Sequence, residues 1–162
     1  LKSRAPASTH KKVVVVLADH KSLRGYLNPA QLGESEPLDL LTPEGEHQKI
    51  PLDGVRSIFF VREFTDAFEL ERKVFLSRPK QDGLWVRLRF KDGEVIEGVV
   101  PNDLLGLLDH GVRITPPDPN AKADRIFVPR EALAELIVLG VVGIARRKPA
   151  VPATAQPRLF SE

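Results

Sequence analysis

The chain has 162 residues, with 24 Lys and Arg against 22 Asp and Glu for a formal net charge of +2, and neither Cys nor Met. The absence of Cys excludes disulfides, thiolate nucleophiles and Cys-ligated metals, and fits a cytoplasmic chain. Charge is unevenly placed: residues 1–12 carry +4, residues 144–162 carry +3 and residues 13–143 carry −5, so a pI of about 9.0 describes the tails and not the centre. A nucleic-acid reading, which such a pI invites, would rest on those tails.

A length of 162 residues suits one ordinary domain or two small ones. With Leu at position 1 and no initiator, the chain is expected to be a piece of something longer. Residues 1–12 have no apolar period and read as a basic tail, with Lys11 and Lys12 as candidate polyanion contacts. The alternation predicts strands at 12–18 and 22–27 with a turn at 19–21, then a loop over 28–37. Further strands are predicted at 38–42 and 49–51 around a Pro-Gly turn at 43–47, then a single helical turn at 52–55 and a fifth strand at 56–62. Its run 58–61 is apolar on both faces, which predicts cover on both sides.

Residues 64–83 form the connection. Phe64, Phe68, Val74 and Phe75 fall at a rough helical spacing, with Thr65 or Asp66 as N-cap and Pro79 and Gly83 as stops, which predicts a short helix. The stretch from residue 84 to 102, LWVRLRFKDGEVIEGVVPN, reads as a hairpin. Val86, Leu88 and Phe90 face one way, Arg87, Arg89 and Lys91 the other, and Asp92-Gly93 predicts a two-residue type I′ turn with positive φ at both positions. Later strands are predicted at 111–115, 125–129 and 134–142. The run LIVLGVVGIA from Leu136, ten residues long, is about half what a bilayer-spanning helix needs and reads as a buried strand. Residues 144–162 are a Pro- and Ala-rich basic tail, in which Arg146, Arg147 and Lys148 are further candidate polyanion contacts.

The chain repeats itself. Setting Gly98 over Gly25, 73 residues apart, lays Val86 on Val13, Leu88 on Val15, Phe90 on Leu17, Asp92 on Asp19 and Thr115-Pro116 on Thr42-Pro43. Further on, VPREALAELIVL from Val128 lies over IPLDGVRSIFFV from Ile50 at a spacing of 78. The five extra residues fall between Pro116 and Pro129, a Pro- and Asp-rich loop where added length costs little closure entropy. Two duplicated β units, 13–63 and 84–143, are therefore expected. Each is small enough to need the other, so one cooperative body is predicted, with Phe59, Phe60, Trp85 and Val138 buried and Phe64, Phe68 and Phe75 filling the groove between units.

On these residues a resemblance can be stated. VRLRFKDGEVIEGVV resembles the first sequence motif of Sm-like small β-barrels, whose second strand bends at a Gly, matched here by Gly98 and Gly25. IFVPREALAELIVL resembles the fourth strand, single turn and fifth strand of that fold. The resemblance implies a mainly β chain of two tandem five-stranded Sm-like or SH3-like barrels joined by a short helix or loop. The whole chain is also similar to an uncharacterised bacterial domain family, which implies a fold and no activity. The RNA pocket of Sm proteins does not carry over, because the Asp and Asn it needs after the strand-two Gly are replaced by Leu104 and Leu108, and by Gln31 and Ser35; Asp103 stands one residue short. HKSLRG from His20 resembles the second motif of PilZ-type cyclic-dinucleotide receptors, with His20 in the acid's place and the companion Arg pair absent.

Catalytic patterns fail. His10, His20, His47 and His110 lack metal-ligand spacing, the glycines are scattered, Ser22 beside His20 has no third member, and Glu131 and Glu135 read as solvent-facing charges. No enzyme, cofactor, metal or membrane association is expected. The leading expectation is a non-enzymatic binding or assembly module whose edge strands, at 58–61 and 136–139, dock another protein or another copy of the chain. The alternatives are RNA or DNA binding through the basic tails and, behind it, cyclic-dinucleotide binding.

Overall fold

The protein's structure, a computed structural model, describes residues 9–33, 37–64, 70, 72–107, 109–117 and 123–143. Among these residues it is mainly β, with ten strands in two antiparallel sheets and one short α-helix. The strands are β1 (Lys11–Leu17), β2 (Ser22–Leu27), β3 (Leu38–Leu41), β4 (His47–Ile50) and β5 (Val55–Val61), then β6 (Gly83–Phe90), β7 (Val95–Val100), β8 (Gly111–Ile114), β9 (Ala123–Pro129) and β10 (Leu133–Val142). The helix α1 (Leu104–Leu107) follows β7, and 3-10 turns occupy Pro29–Gly33, Leu52–Gly54 and Arg130–Ala132.

One sheet runs β4-β3-β2-β1-β5-β9-β8 and the other β10-β6-β7, with a single bridge from Val99 to Thr115 between β7 and the end of β8. The expected grouping was five strands and five. Instead β5 pairs antiparallel with β9, setting Ile58 opposite Phe127 and Phe59 opposite Ile126, which draws β9 and β8 into the first sheet. Among the described residues neither group closes into a barrel.

This pairing explains why β1, β5 and β9 lack simple alternation: both of their faces are covered. Val13, Val15, Ile58 and Phe127 enter a core with Leu27, Leu38 and Leu40, whereas Val14, Phe59, Val61, Ile126 and Val128 enter a second core with Val86, Leu88 and Phe90. Phe127 from the second half thus completes the core of the first. Val14 and Phe59 from the first half reciprocate in the second.

Repeat-related residues hold matching positions. Val13 stands opposite Gly25, and Val86 opposite Gly98. A Cβ on Gly25 would lie 2.6 Å from the Leu41 carbonyl oxygen and one on Gly98 would lie 2.8 Å from Ile114 Cβ, so both glycines admit a close approach by the next strand. The two hairpin loops also agree. Leu17 N donates to Lys21 O and His20 N to Leu17 O, just as Phe90 N donates to Glu94 O and Gly93 N to Phe90 O. His20 (φ 71°) and Gly93 (φ 94°) share the left-handed conformation. The loop at 91–93 therefore has three residues and not the two of a type I′ turn. Asp92 keeps negative φ and only Gly93 crosses over, the pattern of a type I turn with a following αL residue.

Other differences follow from tertiary packing. Residues 72–82 contain no helix; Thr65, Asp66 and Phe68 lie outside the described residues. Phe64 packs edge-to-face on Tyr26 and against the core that both halves share, whereas Phe75 packs on Trp85 within the second half. Phe59 is buried, Phe60 and Trp85 are half-buried, and Val138 is exposed, because no strand among the described residues lies on the outer side of β10, which Arg78 reaches only at Val141 and Gly140. The N-terminal tail is shorter than expected, since Lys11 and Lys12 already belong to β1.

Phe127→Ala should lower stability by about 3–5 kcal/mol, the usual cost of emptying a buried Phe site, and leave one unfolding transition. Two separated transitions in calorimetry of the parent or variant would show that the exchanged core residues do not couple the halves. Gly93→Val should cost about 1 kcal/mol or more through its αL conformation; an unchanged melting temperature would contradict that loop geometry.

Candidate interaction surface

β10 is the longest strand, and only one of its edges is paired. Leu136 stands opposite Leu88, Ile137 opposite Arg87 and Val138 opposite Val86 on β6, with irregularities between Leu133 and Glu135 and between Val138 and Gly140. The far edge has no strand partner among the described residues. Ile137, Val138 and Val141 are 39%, 47% and 42% exposed, in a run from 136 to 142 that contains no charge and no Pro. Such an edge offers a row of backbone donors and acceptors beside apolar side chains, which natural proteins ordinarily blunt with charge or Pro. The other expected edge, 58–61, is not free, because β9 occupies it.

Behind β10, β6 is braced by a buried carboxylate. Glu97 of β7 is 4% exposed and accepts from Trp85 Nε1 (3.1 Å), from the Phe75 backbone N–H (3.1 Å) and from the Arg87 guanidinium (3.2 Å). Its own N–H donates to Lys73 O at 2.7 Å, so this one residue fixes the connecting segment against the sheet. The period-two pattern placed Arg87 on the polar face. Its pairing with Glu97 depends on the three-residue loop, since the two-residue turn expected from Asp92-Gly93 would set Arg87 opposite Gly98.

The densest charge cluster lies at the hairpin loops. The Arg56 side chain, 11% exposed, sits 3.9 Å above the Phe90 ring centroid, donates to Asp92 Oδ2 at 2.7 Å and bonds Glu94. Glu94 also pairs with Lys73, and Asp92 with His20 Nε2 at 3.2 Å. The Arg56 hydrogen bond holds Asp92 below its ordinary range, and burial, which acts to raise Glu94, is outweighed by Lys73 and Arg56. Both carboxylates are thus ionised and engaged at neutral pH. That suits a clasp between the halves and not general acid chemistry.

A cleft of about 520 Å³ opens where the two 3-10 turns face each other, lined by Pro51, Leu52 and Asp53 and by their repeat counterparts Pro129, Arg130 and Glu131, with Asp109 and His110 beside them. Asp109 accepts from the His110 backbone N–H at 2.8 Å and is committed to its own loop. No three His, Asp or Glu side chains among the described residues are arranged to hold a metal ion. No helix of the described residues is long and apolar enough to cross a membrane.

The singled-out residues do not converge on one site. Gly25 and Gly98 sit at strand crossings, and Asp92 and Gly93 in the loop clasped by Arg56. Lys11 and Lys12 are exposed on β1, with Lys12 Nζ 5.9 Å from the Phe64 ring centroid. Arg146, Arg147 and Lys148 lie outside the described residues. Asp103 accepts from Leu105 N at 3.1 Å and opens α1, a helix the sequence reading missed.

The clasp predicts acid lability. Asp92 and Glu94 have folded values below their ordinary 3.8 and 4.5, so their contribution is complete above about 4.5 and is lost as pH falls through the lowered values. Arg56→Met should lower the urea midpoint at pH 7 and flatten its decline toward pH 3; a parent whose midpoint is unchanged between pH 7 and 3 would contradict this.

No curated protein and no solved structure matches the chain. One family model does, over residues 9–140, which span both sheets and all but the last two residues of β10. The chain belongs to that family, DUF6982, a family of unknown function.

Proposed function

We propose that the protein is a non-enzymatic binding and assembly module, built from two open Sm-like or SH3-like five-stranded units, that docks a protein partner along the free edge of β10. The two-unit reading is supported by matching pairings: β1 lies between β2 and β5, as β6 lies between β7 and β10, while β3-β4 corresponds to β8-β9. It is supported too by the two proline-led turns, where Pro51 (φ −61°, ψ 135°) and Pro129 (φ −60°, ψ 143°) have nearly the same conformation. On this reading the units span 13–63 and 84–143, with 64–83 as linker.

The observation that carries the docking assignment is the contrast between equivalent strands. β5 is shielded by β9, whereas β10 exposes Ile137, Val138 and Val141 beside an unpaired edge. Addition of a strand would satisfy the edge's backbone groups and cover those side chains. A photo-crosslinking residue at Val138 should capture one discrete adduct in cells, and Ile137→Lys in the same chain should abolish it. No adduct at Val138, or one that survives Ile137→Lys, would remove β10 as the docking site.

A further inference from the structure

We infer that the edge of β10 pairs with the β10 edge of a second copy of this chain, antiparallel across a two-fold axis; this rests on β10 being the docking edge. Three observations select that occupant. The first is apolar matching: the edge is uncharged and Pro-free from 136 to 142, and what covers Ile137, Val138 and Val141 must itself be apolar. Of the other terminal strands, β7 and β8 face each other at the Val99 to Thr115 bridge, and β4 does not qualify, because His47, Gln48 and Lys49 are all exposed and polar, and a short strand bearing Lys is an edge built against pairing. β10 itself qualifies.

The second is charge. Glu135 stands at the start of β10, where it pairs with Arg89 of β6 at 3.1 Å and keeps half its side chain in solvent, and the Arg78 guanidinium lies at the strand's end, donating to Val141 O at 2.5 Å and reaching to 3.8 Å from where a Cβ on Gly140 would be. Antiparallel self-pairing sets the Glu135 end of each copy against the Arg78 end of the other, twice per dimer, whereas a parallel arrangement stacks like on like. The third is geometry. The stretch 135–138 is regular before the irregularity at Val138 to Gly140, so the axis falls within 136–138. The product is a six-stranded sheet in the order β7-β6-β10-β10-β6-β7, an isologous arrangement of the commonest oligomer symmetry.

Symmetry makes the proposal sharply testable, because a two-fold axis normal to a sheet keeps each side chain on its face. Some residue on β10 must therefore stand opposite its own copy. The chain has no Cys, so single cysteines placed in turn at 136, 137, 138, 139, 140 and 141 of the full chain can be oxidised without competition. One of them should give a disulfide-linked dimer on a non-reducing gel, since directly paired residues fall within bridging distance. The parent should sediment as a dimer, and Val138→Lys, which buries a charge from each copy beside the axis, should weaken dimerisation by about a hundredfold with an unchanged circular dichroism spectrum. No cross-link at any of the six positions overturns the proposal, whether the parent sediments as a monomer or a dimer. A cross-link formed only on mixing a β10 cysteine variant with Lys49→Cys also overturns it, in favour of head-to-tail pairing. A photo-adduct from Val138 to a different protein, without disulfide dimers, overturns it while leaving the docking edge standing.

Discussion

The antiparallel pairing of β5 with β9 is the constraint on which the rest of the structure depends. A strand reading VRSIFFV is too apolar to leave either face or its edge in water, and β1 covers only one of its two edges. By crossing to β9 the chain covers the edge and, in the same step, separates two cores by one layer of backbone, with successive residues of β1 and β5 pointing into different cores. Phe127 on one side and Val14, Phe59 and Val61 on the other are exchanged between halves that could each bury only a limited core alone. Stability is therefore held in common.

That constraint also decides what is left over. Followed through the Val99 to Thr115 bridge, the strand order has two ends, β4 and β10, and they differ in chemistry. β4 is four residues long and exposes His47, Gln48 and Lys49, so water satisfies it at little cost. β10 is ten residues long and meets solvent with valine and isoleucine. Selection for solubility alone would remove such a feature, which is the physical ground for treating it as an interface.

The local half of this architecture was legible in the sequence. Strand periods and the 73-residue spacing depend on near neighbours, but the register does not follow from the expected turns: a two-residue turn at 92–93 would set Val86 opposite Val99 and a turn at 19–21 would set Val13 opposite Leu27, where the structure has Gly98 and Gly25. The loop class was misread because Asp-Gly fits both a two-residue turn and a three-residue loop, and His20, which holds the equivalent αL place in the first hairpin, carries no such signal. The exchange of β9 was not legible, since pairing between repeats leaves no periodic trace. Nor could the sequence distinguish 58–61 from 136–139: both are apolar runs, and composition records that a strand must be covered without recording whether the cover comes from the same chain. Arg56 was hidden for a related reason, as one charge in an apolar run whose partners, Asp92 and Glu94, lie in the other half.

The three-stranded sheet that carries β10 would be weak on its own, and among the described residues its backbone meets the larger sheet at one bridge, from Val99 to Thr115, beside the core they share. Two polar groups make it rigid. Glu97 ties the connecting segment to β6 and β7 through Phe75, Trp85 and Arg87, and Arg56 ties the β6-β7 loop to β5 across the boundary between halves. Neither touches the exposed side chains of β10; both fix β6, the strand that β10 pairs with. A pairing edge on a loose sheet would lose in ordering entropy what it gained in hydrogen bonds. The buried carboxylate and the stacked guanidinium are the parts of this fold that keep Val138 and its neighbours presented in one conformation.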